Sequence, residues 1–180
     1  STTGVEIVAV GYQAGYSNTT GINNTAVGWS AAKAITTGTR NVALGYAALD
    51  ADTIGSKSTA LGYSALGVQN FTSATDSFNV AVGHEVGAAV TTGLKNTFIG
   101  ALAGDSCTDG DHNTILGFNS DLDAAGTSQV IVLGSQVTSQ SANNFTFGFG
   151  ATDSNIAFGA TSITAPSDER YKENITTSTA

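Results

Sequence analysis

The chain has 180 residues, 41% of them apolar, with 22 glycines, one proline, one cysteine, no methionine and a formal net charge of −8. Side chains this small cannot fill a wide globular interior at native density, and Cys107 alone rules out an intrachain disulfide framework. The acidic balance, with no basic patch to neutralise phosphates, argues against nucleic acid as a partner, and no apolar run is long enough to span a bilayer as a helix.

Taken in order, the chain is a repeat. Glycines stand at Gly11, Gly28, Gly45, Gly62, Gly83, Gly100, Gly117 and Gly134, separated by 17 residues except for one step of 21 between Gly62 and Gly83. A fixed period of this size marks a solenoid. Before each glycine comes a branched aliphatic (Val10, Val27, Leu44, Leu61, Val82, Ile99, Leu116, Leu133), and two residues earlier another β-branched residue (Val8, Thr25, Val42, Thr59, Val80, Thr97, Thr114, Ile131). Ala9, Ala26, Ala43, Ala60 and Ala81 lie between them. Such period-two alternation predicts a strand of four or five residues with an aliphatic face and an alanine face.

A second column, Gly4, Gly21, Gly38, Gly55, Gly93 and Gly110, lies seven residues upstream, with Asp76 in the same place in the longer repeat. This predicts a turn of positive φ, which Asp tolerates better than most residues. The fold class expected is all-β: a β-solenoid or β-roll of about eight 17-residue coils over residues 1–135. Coils stacked about 4.8 Å apart would make a rod of roughly 40 Å. So slender an object keeps a high surface-to-volume ratio. Oligomerisation is therefore expected, most simply as a parallel homotrimer with alanine faces inward, a monomeric solenoid being the alternative.

The motifs NTAVGWSA (Asn24 to Ala31), NVALGYAA (Asn41 to Ala48) and STALGYSA (Ser58 to Ala65) resemble the head repeats of trimeric autotransporter adhesins and related phage tail fibres. The resemblance implies short coils in a left-handed parallel roll, with three chains around one axis. The repeat here is longer than the adhesin's, which implies an extra turn or a wider coil.

Beyond Gly134 the period breaks. Residues 136–165 are rich in aromatics (Phe145, Phe147, Phe149, Phe158), and NFTFGFG alternates as a strand suited to closing the end of a trimeric rod. In residues 166–180, PSDERYKEN resembles the opening of the intramolecular chaperone of phage tail spikes and endosialidases, a self-cleaving serine peptidase. The resemblance implies that Ser167 is the nucleophile and Lys172 the base of a chain-cutting dyad. A lysine serves so only where burial lowers its pKa. The helical body of that chaperone does not follow within the sequence, so self-cleavage of this chain is not expected.

Tyr12, Trp29, Tyr46 and Tyr63 form a column after the main glycine, continued by His84, Ala101 and Phe118. These rings could stack on sugars or cover gaps between coils or chains. Asn70 and Phe71 lie in the segment Gly67 to Thr75 around the insertion, where a displayed loop could carry specificity. Asp105, Asp109 and Asp111, with Asp121 and Asp123, fit no calcium-loop spacing and read as solvated turns. Cys107, with His112 the sole base candidate nearby, reads as an unreactive thiol.

The function expected is therefore structural and adhesive: part of a phage tail fibre in the virion, contacting a host-surface glycan or protein, with no cofactor, metal or enzymatic activity of its own. The head of a bacterial surface adhesin is the alternative of the same class. A polysaccharide-degrading spike would require paired carboxylates in a groove, and the repeats offer none at recurring positions.

Overall fold

The computed structural model describes residues 6–150 and 152–160. These residues form twelve strands and no helix: β1 (Val8–Val10), β2 (Thr25–Val27), β3 (Val42–Leu44), β4 (Gly55–Ser56), β5 (Thr59–Leu61), β6 (Thr75–Asp76), β7 (Val80–Val82), β8 (Thr97–Ile99), β9 (Thr114–Leu116), β10 (Val130–Ser135), β11 (Asn144–Phe149) and β12 (Thr152–Ala157). Each coil gives one short strand to a ten-stranded sheet of order β1-β2-β3-β5-β7-β8-β9-β10-β11-β12. Pairing is parallel and in step through β11, so Ala26, Ala43, Ala60 and Ala81 form one continuous column. The chain is a β-solenoid. Its last strand, β12, turns back antiparallel on β11 and closes the growing edge.

The two strand faces are disposed opposite to expectation. Ala26, Ala43 and Ala60 are fully buried in the coil's own interior, whereas Val10, Leu44 and Leu116 are 58%, 44% and 46% exposed. The reason is the narrow bore. The far wall supplies Ala31, Ala48, Ala65 and Ala103 together with Ile35, Leu49 and Leu66, all buried, and that leaves room only for a methyl on the strand. Further along the rod the volume is exchanged between walls. Phe98 replaces alanine on the strand where the facing turn has shrunk to Gly87 and Gly104, and a Cβ on Gly104 would stand 2.9 Å from the Phe98 ring. At this coil a large residue on one wall is thus offset by glycine on the other, as close packing requires.

The upstream glycine column also differs from expectation. At Gly21, Gly38, Gly55, Gly93 and Gly110 the backbone does not take positive φ; at Gly38 a Cβ would instead run into the carbonyl oxygen of Gly55 on the next coil. Left-handed backbone occurs elsewhere in each coil, for example at Arg40 (59°), Gly45 (138°), Ala47 (51°) and Leu49 (51°). Non-glycine residues in this region cost of order 1–3 kcal/mol each where the surroundings enforce it, so something must hold the coil tightly wound.

That something is a ladder of buried asparagines. Asn41 Nδ2 donates to Gly55 O at 2.9 Å, while its Oδ1 accepts from Ser58 N at 2.9 Å on the following coil. The pattern recurs: Asn24 to Gly38 O and from Asn41 N, Asn96 to Gly110 O and from Asn113 N, Asn113 to Thr127 O and from Val130 N. Every rung satisfies a main-chain donor and a main-chain acceptor that the turn leaves without a sheet partner.

Ser58 breaks the ladder, being too short to reach. Gln69 spans the gap: its Nε2 donates to Asp52 Oδ2 at 2.7 Å and Ser58 Oγ at 2.8 Å, and its Oε1 accepts from Asn79 Nδ2 at 2.8 Å. This is where the long coil sits. Thr53 and Asn70 remain 17 residues apart and bonded, but Gly55 pairs with Thr75 and Thr59 with Val80. Three inserted residues therefore bulge out as Thr72, Ser73 and Ala74, all exposed, and the fourth is Ser77, buried against Ser58. Asp76 accordingly pairs with Ser56 and does not occupy the glycine column.

Two outcomes follow from the ladder. Asn96→Ala leaves Gly110 C=O and Asn113 N–H buried and unpaired and should cost about 2–5 kcal/mol in urea unfolding, against under about 0.5 kcal/mol for the exposed Gln129→Ala. Burial pushes the Asp52 carboxyl above its ordinary value of 3.8, with the bonds from Gln69 and Gly55 opposing it. The folded chain therefore holds this proton at higher pH than the unfolded chain, so Asp52 adds stability as pH falls through the raised value towards 3.8 and withdraws it as pH rises. The stability difference between wild type and Asp52→Asn should grow as pH is lowered across that window; a flat difference contradicts the assignment.

Candidate interaction face

The outer surface of the main sheet is built by the same alternation that fills the core. In one coil Asn41 and Ala43 point inward and are buried, while Arg40, Val42, Leu44 and Tyr46 are exposed. Repeated along the rod, this gives four parallel columns on one face. Two central columns are aliphatic or threonine and run on in register from Ile131 to Phe145 and from Leu133 to Phe147. One edge is aromatic. The other edge is the left-handed column Glu6, Asn23, Arg40, Lys57, Phe78, Lys95, His112, Gln129 and Asn143, which carries three of the four lysines and arginines among the described residues.

The aromatic edge is a stacked ladder. Tyr12 and Trp29 have ring centroids 5.8 Å apart, Trp29 and Tyr46 4.7 Å, Tyr46 and Tyr63 5.1 Å, and Tyr63 and His84 4.9 Å, the last three pairs within 8° of parallel. The coil rise of about 4.8 Å imposes this spacing. Consequently each ring's faces are covered by its neighbours, and what Trp29, Tyr46 and Tyr63 offer outward is ring edge. A sugar ring stacks on an aromatic face, so the middle of this ladder offers it no platform; an apolar seam suits edges of this kind. The ladder stops at Ala101, and Phe118 resumes the column alone, half exposed.

Of the insertion residues, Phe71 is 6% exposed and packs beside Gly55, so it belongs to the interior and not to a displayed loop. Asn70 is on the surface and accepts from Thr53 Oγ1 at 3.1 Å. The protruding part is confined to Thr72, Ser73 and Ala74. Ser167 and Lys172 lie outside the described residues. The basic column was not singled out from the sequence, although each of its members but Asn143 stands two residues before the β-branched position and could have been read from that offset.

The acidic residues are engaged locally. Asp111 Oδ1 accepts from Leu94 N at 2.7 Å and Asp121 Oδ2 from Ser106 N at 3.2 Å. Burial, and then the neighbouring Asp121, push the Asp105 carboxyl above its ordinary value. Among the described residues no group of three or more His, Cys, Asp or Glu is placed to hold a metal. Beside the last coil an open polar hollow is lined by Gln136, Thr138, Gln140, Gly150 and Asp153.

Comparison with known proteins yields no match: no family model, curated protein or solved structure is similar to this chain. What the face can do therefore rests on its geometry. One chemical outcome is already determined inside the coil. Cys107 is fully buried, and desolvation pushes its thiol up to about 11. A thiol reagent at neutral pH should leave the folded protein unlabelled and label the single cysteine only after denaturation; rapid labelling of the folded protein would contradict this placement.

Proposed function

We propose that this chain is a structural and adhesive segment of a phage-type tail fibre, self-associated in parallel as a trimer through the outer sheet face. The observation that carries the reading is the apolar face itself, whose central columns are exposed or half-exposed in a single chain from Val10 to Leu133. From the edge residue Arg40 to Tyr46 the face is at most about 20 Å wide, and stacked coils make it roughly 40 Å long. The resulting area, on the order of 800 Å², is what each partner of a standard stable interface contributes. Three faces of that width closed into a triangle would each lie about 6 Å from the axis, close to half the ~10 Å separation of packed sheets. Leucine and valine side chains fill that depth.

A rod of this kind acts through stiffness and repetition. Three copies of any surface loop, such as Thr72 to Ala74, would be presented together, so weak contacts to a host-surface glycan or protein add through effective concentration. The likeness of PSDERYKEN to the opening of the self-cleaving fibre chaperone supports the same reading; by that resemblance Ser167 would be the nucleophile and Lys172 the base of a cut made where the rest of the chaperone is present. The test is direct. Sedimentation equilibrium should give the mass of three 18.0 kDa chains, and the exposed-site variant Leu44→Asp/Leu116→Asp should shift it towards one chain while leaving the β-type circular dichroism in place. A wild-type mass of one chain would overturn the reading.

A further inference from the structure

We propose that the last coil of the rod carries a binding site for a neutral saccharide, formed by the polar hollow at its side and two uncovered aromatic rings at the rim. The proposal rests on the adhesive reading above and adds where the ligand sits and of what class it is.

The site arises where the aromatic column is interrupted. Ser135 takes a ring's place between Phe118 and Phe149: Gln136 N donates to Phe118 O at 2.8 Å, Gly150 N donates to Ser135 O at 2.9 Å, and Phe149 pairs in register with Ser135. The two phenylalanines are therefore two coil rises apart, about 10 Å, whereas the stacked rings of Trp29, Tyr46, Tyr63 and His84 follow one another at 4.7 to 5.1 Å. Ser135 leaves a gap one ring thick. Among the described residues neither Phe118 nor Phe149 stacks on another ring. They are 51% and 67% exposed, against 45% for each of Trp29, Tyr46 and Tyr63. Unlike those three, they keep open ring faces, on which the polarised C–H bonds of a sugar ring can pack.

Directly past Ser135 and Phe149 lies the hollow, about 470 Å³ in volume and lined by Gln136, Thr138, Gln140, Gly150 and Asp153; small-molecule sites run from about 300 to 1,000 Å³. Its polar groups are largely unengaged. Among the described residues Asp153 forms no ion pair and its Oδ1 no hydrogen bond, and Gln140 Nε2 makes only a long bond to Thr138 O at 3.5 Å. Two primary amides, a hydroxyl and a carboxylate offer donors and acceptors side by side, which suits a ligand whose hydroxyls do both. An apolar ligand would leave them unpaired. No cation lines the hollow and the chain carries a net charge of −8, so phosphates and acidic sugars are disfavoured. The hollow also stays open on self-association. Its turn leaves the sheet at Ser135, with Val137 buried and Gln136, Thr138 and Gln140 exposed on the flank of the rod, beyond the columns of the apolar face.

The experiment is saturation-transfer NMR on the full chain, titrated with lactose, maltotriose, chitotriose and mannotriose as neutral probes and with 3′-sialyllactose as the acidic one. At least one neutral probe should show saturable transfer, strongest at its ring C–H protons, and 3′-sialyllactose should show none. Phe149→Ala and Gln136→Ala, both at exposed positions, should each weaken the binding at least about tenfold, while Gln129→Ala on the opposite edge leaves it unchanged. Absence of transfer to every neutral probe, transfer to 3′-sialyllactose alone, or binding unaltered in both site variants would overturn the site. Sedimentation equilibrium on the same samples separates the two readings: a trimer that binds no saccharide loses the site and keeps the self-association, and a single chain that binds one keeps the site and loses the self-association.

Discussion

The asparagine amide buried between coils is the constraint on which the structure depends. Each coil bends through several left-handed residues, among them Arg40, Ala47 and Leu49, and such bends leave main-chain groups pointing into the interior without sheet partners. Asn41 and its equivalents bind one such carbonyl and one N–H, both on the following coil. Winding and stacking are thereby fastened by the same side chain. A thin coil buries too little apolar surface to enforce this alone, and an unmade buried hydrogen bond costs more than a made one gains. The position therefore demands an amide. Where it is lost at Ser58, Gln69, Asp52 and Ser77 rebuild the network from neighbouring turns.

The outward face is a consequence of that inward one. With asparagine and alanine committed to the bore, the intervening residues must point to solvent, and these are the large ones: Val42, Leu44 and Tyr46 in one coil. Parallel in-step stacking then turns three such residues into columns, and the coil rise brings the rings to stacking distance whatever their identity, so His84 continues a ladder of tyrosine and tryptophan. The chain thus places its larger apolar groups where only a second surface can dry them. That arrangement is unfavourable for an isolated rod and favourable for one of several around an axis.

Much of the fold was legible in the sequence because a glycine at fixed intervals and a period-two alternation each have one structural reading. Which face is inside was not legible. Alternation states that Ala43 and Leu44 lie on opposite faces, but the assignment depends on the diameter of the bore, which is set by how Leu49 and Ala48 fill it from the other wall. Gly38 was misread for a related reason: glycine serves positive φ and close approach equally well, and only the carbonyl of Gly55 in the next coil decides between them. The role of the asparagines was not legible either, since nothing in one repeat reveals a partner 17 residues away. At the candidate face the aromatic column was legible, and the basic column could have been read from its offset to the strand; the loss of open ring faces was not legible, as it arises from stacking.

Amide hydrogen exchange resolved by residue tests the central claim most directly. If side-chain carbonyls of the buried asparagines hold the coils together, the N–H groups of Asn41, Ser58, Asn96, Asn113 and Val130, which donate to them, should exchange among the slowest in the chain and should open only with global unfolding. Fast exchange at these amides, while the strand amides between them stay protected, would contradict the account.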